Sequence, residues 1–166
     1  MDTSKLADIA EIVSSVAIIV TLIFLTVEVR QNTEALHAES RQSVLTSAQV
    51  ELFALVEDPN ILISMVKPNA LTPQEHVKLH SFLVAVMRAR EFSWLQYENG
   101  IIDERQWNTE RTVALSILEP RRNRTWWNKM GQKLVSSEYA AFMNELLQDQ
   151  PPTDETYMAM TNWTNL

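Results

Sequence analysis

From Ile9 to Val29 the chain is apolar around every side of a helix, and Glu11 and Glu28 are its only charged residues. A helix of that length rises about 30 Å, the thickness of a bilayer's hydrocarbon core. Glu11 and Glu28 then fall at headgroup depth. A soluble core helix would carry a polar face, and "VAIIVTLIFL" has none. A cleaved leader would begin basic, whereas "MDTSKLAD" sets Asp2 and Asp8 against Lys5. The pattern predicts a membrane span. No Gly or Pro follows until Pro59, so the same helix should run from about Ser4 to Glu57. Val44, Leu45, Ala48, Leu52 and Leu55 make it more apolar toward that end.

Beyond "DPN" at 58–60 the periodicity predicts a short helix over Ile61–Lys67. Thr72, Pro73 and Glu75 form a capping box that opens a long helix ending near Asn99, with Gly100 as a left-handed cap. Leu79, Phe82, Leu83, Val86, Met87, Trp94 and Leu95 make its inner face. Asp103 caps a helix to Leu118, "RRNRTWWNKMG" makes a short one, and Ser136 or Ser137 caps "EYAAFMNELLQ". The expected organisation is a transmembrane helix over 1–30, a juxtamembrane stalk over 31–57, a helical bundle over 58–150 and a loose tail over 151–166, in which Tyr157, Met160 and Trp163 are candidates for docking.

Composition narrows this further. Only two of 166 residues are glycine, which disfavours the tight turns of a sheet protein and supports an all-α fold. A net charge of −7 argues against a nucleic-acid partner. There are no cysteines, so disulfides, thiolate metal sites and cysteine nucleophiles are excluded.

The segments "AEIVSSVAIIVTLIFLTVEVRQNTEAL", "EFSWLQYENGIIDERQW" and "WWNKMGQKLVSSEYAAFMNELL" cover about half the chain. In them the sequence resembles an uncharacterised family of small bacterial proteins with an N-terminal transmembrane helix and a helical cytoplasmic domain. The resemblance implies that architecture and an inner-membrane address, and no activity, cofactor or catalytic residue.

Four features are candidates for chemistry or binding. Glu11, Ser14, Thr21 and Glu28 share one stripe of the first helix, with Ile18 and Leu25 between them. Such a stripe reads as a helix–helix seam, as a pore lining, or as hydroxyls that each bond their own backbone. Arg121, Arg122, Arg124 and Lys129 beside Trp126 and Trp127 read either as a membrane-surface patch or as core indoles next to solvated cations. Arg90, Glu91 and Glu98 lie among aromatic residues, as a buried charged network or a titrating acid would. His76 and His80 have the spacing to share a metal but lack a completing acid, and histidines in an early helical turn are mostly solvated. No phosphate loop, catalytic triad or dinucleotide fingerprint is present.

The sequence therefore leads to the expectation of a single-pass anchor in contact with membrane lipid, its bulk in the cytoplasm. It would form a homo-oligomer and act as a scaffold or a module for an unknown protein partner. The alternative is an oligomeric ion-conducting channel lined by the first helix.

Overall fold

A computed structural model describes residues 3–161, and the side chains of residues 8–159. The described chain is all-α. In order it contains α1 (Thr3–Glu57), α2 (Asn60–Val66), α3 (Pro73–Glu98), α4 (Glu104–Ile117), α5 (Arg121–Lys129), a 3-10 turn (Gly131–Lys133), α6 (Ser137–Gln148) and α7 (Glu155–Thr161). The chain divides into two compact units, Met1–Glu39 and Ser40–Leu166.

In the first unit the apolar stretch of α1 is long and apolar enough to cross a membrane, and none of it is buried. Its hydroxyls find partners within one turn. Ser14 donates to the Ala10 carbonyl at 2.8 Å and Thr21 to the Ala17 carbonyl at 2.9 Å. Ser15 and Thr26 do the same toward Glu11 and Leu22.

The second unit begins inside α1, so the helix's last turns belong to the bundle. They stop at Asp58, whose carboxylate takes the Asn60 N–H at 3.2 Å and the Lys78 ammonium at 2.6 Å. Thr72 and Glu75 form the reciprocal capping box of α3, and Pro73 opens the helix. The Lys67 ammonium and the Thr72 N–H hold the Glu75 carboxyl down to about 2. Asp103 accepts from the Gln106 N–H and caps α4; Ser136, not Ser137, caps α6. Gly100 carries a φ of +68°, where a side chain on the α-carbon is strained and glycine is not.

Two apolar clusters make the core. One gathers Met87, Trp107, Leu118, Trp127, Tyr139 and Met143; the other gathers Met65, Leu79, Phe82, Leu83, Val86 and Tyr157. The inner face of α3 supplies both, from Leu79 through Met87. Each fully buried aliphatic side chain of this kind contributes about 1.5–3 kcal/mol. Leu95, expected on that face, is 42% exposed. After Met87 the face turns polar, and Arg90, Glu91 and Ser93 take the buried positions instead.

In the described part of the tail, Glu155–Thr161 form α7, and Tyr157, one of the docking candidates, is buried among Ile61, Met65 and Leu83. Thr153 N–H donates to the Glu119 carbonyl at 3.0 Å, and Asp154 accepts the Arg121 N–H at 3.0 Å. Burial pushes the Tyr157 hydroxyl up to about 12. Met160 and Trp163 lie outside the residues whose side chains are described.

Candidate functional site

The stripe of α1 is fully solvent-facing within the chain. Glu11, Ser14, Ile18, Thr21, Leu25 and Glu28 are all exposed. On and off the stripe the hydroxyls behave alike, each bonded to the carbonyl four residues back. A second helix is therefore not needed to satisfy them. What the stripe offers a partner is small side chains that permit close approach.

Within the bundle, the last turns of α1 present a mixed polar and apolar face inward. Ser40, Val44, Ser47, Ala48, Glu51, Ala54 and Leu55 point inward, at intermediate or full burial. Leu45, Leu52, Phe53 and Val56 point outward at 56%, 64%, 65% and 75% exposure. The inward Glu51 has an electrostatic partner. Arg90 is nearly sealed, with a side chain 2% exposed, and a lone buried guanidinium is costly unless acids reach it. Glu51 provides one acid, accepting from Nη2 at 2.7 Å through both oxygens, and Glu110 of α4 accepts from Nη1. The triad joins α1, α3 and α4 inside the bundle.

Two sequence expectations change here. Glu98 is exposed and takes no part in the triad. Glu91 is buried but belongs to a different contact, accepting the Ser136 N–H at the start of α6 at 2.6 Å and pairing with Arg88 at 3.1 Å. The missed members are Glu51 and Glu110. The signal for them was Arg90 itself, which occupies an inward position of α3 and so required acids from other helices. Burial raises the Glu51 carboxyl above its ordinary value of 4.5, even against the pull of Arg90.

The basic and aromatic segment of α5 is also redistributed. Arg122 is half-buried and donates to the Ser64 carbonyl, and at 2.9 Å to those of Lys67 and Asn69. Arg124 donates to the carbonyls of Leu118, Leu147 and Gln150 at 3.1, 3.3 and 3.0 Å. Cations satisfy the orphaned carbonyls at helix C-termini, and these two arginines close the ends of α2, α4 and α6. Trp127 is fully buried, its indole N–H bonded to Asn144 at 2.8 Å. The segment is thus not one continuous surface patch. Arg121 and Lys129 remain exposed, and Trp126 is half-buried.

Trp126 forms a wall of the most apolar cavity described, about 660 Å³, between the first turns of α3 and the length of α5. Its indole N–H donates to His80 Nδ1 at 2.9 Å, which places the histidine proton on Nε2 when the ring is neutral. His80 is therefore committed to tryptophan, and His76 stands exposed at the rim. Gly131 lets the indole lie where it does: a Cβ there would come within 2.5 Å of the ring. Among the described residues no group of three or more His, Asp or Glu side chains could hold a metal ion. Comparison with known proteins gives no further handle, since no family model, curated protein or solved structure matches the chain.

Proposed function

We propose that this protein is a single-pass, membrane-anchored scaffold or partner-binding module that self-associates. In this reading α1 crosses a bacterial inner membrane, the address that the family resemblance implies. Arg30 and Arg41 follow it closely, against Lys5 alone before it, which favours a cytoplasmic bundle. The exposed, all-round apolar character of α1 supports the anchor.

The observation that carries self-association is the outward apolar face of Leu45, Leu52, Phe53 and Val56. Soluble domains seldom expose a contiguous face of this kind without a partner for it. The spacing of Leu45, Leu52 and Val56 suits packing against a second copy of the same helix. The channel alternative needs the same association plus a wet stripe, and the stripe hydroxyls are already bonded to their own backbone. Association without conduction is therefore the reading adopted.

Mass measurement of the full chain in mild detergent tests it. A dimer or higher oligomer is expected, and the double substitution Leu52→Glu with Phe53→Glu should lower its mass toward that of the monomer. A monomeric wild-type chain would sink the proposal.

A further inference from the structure

The cavity between α3 and α5 is not used by the anchor or by the self-association face. Its floor is apolar, with Leu79 and Leu83 4% and 0% exposed. The polar groups nearest the floor are engaged: the Trp126 N–H is held by His80 Nδ1, and Arg122 donates to three carbonyls. An occupant of the floor therefore needs no hydrogen-bonding groups of its own.

The rim differs from the floor. Arg121 and Arg122 stand at the start of α5 and Lys129 at its end, roughly 12 Å apart along the helix. No carboxylate lines the cavity, although acids outnumber bases in the chain, 21 to 14. Arg121 meets Asp154 only at 4.0 Å, and both side chains are partly exposed. Arg122 is fixed by carbonyls, which leave its positive charge uncancelled. Lys129 forms no ion pair among the described residues. The volume lies in the range of small-ligand pockets, about 300–1,000 Å³.

We propose that this groove binds a long-chain fatty-acid anion. The acyl chain lies on Leu79, Leu83 and Trp126, and the carboxylate sits at the end where Arg121 and Arg122 meet. The charge complementarity selects an anion, and the unbroken apolar floor selects a chain without polar groups. The proposal stands apart from self-association, because none of these residues belongs to the outward face of α1.

The test uses the full chain in nanodiscs of zwitterionic lipid, titrated with palmitate carrying ¹³C at its carboxyl carbon. A saturable bound resonance absent from empty discs is expected. Thr125→Trp, an exposed position that fills the groove, should abolish it at unchanged helix content. Should that variant fail to fold, Val77→Trp, at a site 65% exposed, takes its place. Arg121→Glu should weaken binding roughly fivefold, and hexadecanol should compete at least that much more weakly than palmitate. Absence of a saturable signal overturns the proposal, as does equal competition by the alcohol. Displacement of palmitate when anionic phospholipid is built into the disc would assign the groove to bilayer lipid and overturn it as well.

Discussion

The long apolar stretch of α1 and the bundle's α3 both place polar groups on a helix rich in apolar residues, but they satisfy them differently. In that stretch, Ser14, Ser15, Thr21 and Thr26 each reach back one turn to their own backbone. In α3, Arg90 is answered by Glu51 and Glu110, which come from two other helices. Local satisfaction makes each polar group independent of its neighbours. Satisfaction at a distance makes three helices depend on one side chain.

The largest break in this comparison is Arg90→Met. It leaves two carboxylates facing each other in a site that is nearly closed, with side chains 16% and 10% exposed. Removing one partner of a buried charged set typically costs about 3–5 kcal/mol. Denaturant unfolding of the full chain should show a loss of that size; a loss below about 1 kcal/mol would mean the triad is hydrated.

Glu51→Gln sharpens the same contrast through pH. A carboxyl held above its unfolded value takes up a proton more readily in the folded state. Its contribution to stability is therefore present at acid pH and is lost as pH rises from 4.5 through the raised folded value. Wild type minus Glu51→Gln, compared by unfolding midpoint from pH 4.5 to 7, should fall with rising pH. A flat or rising difference would show that attraction to Arg90 outweighs desolvation.

The smallest effect belongs to the apolar stretch of α1. Ser14→Ala and Thr21→Ala remove only bonds internal to α1, so association in detergent should move by less than about 0.5 kcal/mol. A larger shift would reveal hydroxyl bonds between helices.

The same contrast explains how much could be read in advance. Helix ends follow local rules, so Thr72 with Glu75, Asp103 and Gly100 were legible, and the all-α order with them. The exposure of Leu45 and Leu52 was not, because an apolar run does not say which of its residues the neighbouring helices cover. Glu51 meets an arginine far away in sequence, which nothing beside it announces. Arg122 and Arg124 looked like a surface patch because nothing near them in sequence announces the carbonyls they close. Trp126 was visible as an aromatic residue beside cations, but its pairing with His80 depends on how α3 and α5 meet. Tyr157 was a docking candidate, but where it docks was hidden, since its surroundings come from α2, α3 and α4.

That docking has a consequence for biosynthesis. The chain is made from its N-terminus, so the apolar part of α1 leaves the ribosome long before α7 exists. Met65, Leu83 and Ile117 must wait for Tyr157, the last aromatic of their cluster to be translated. The long apolar stretch of α1 is thus made before the bundle can be completed, and a nascent chain stopped before Glu155 would hold an unclosed domain, with apolar surface open to chaperones.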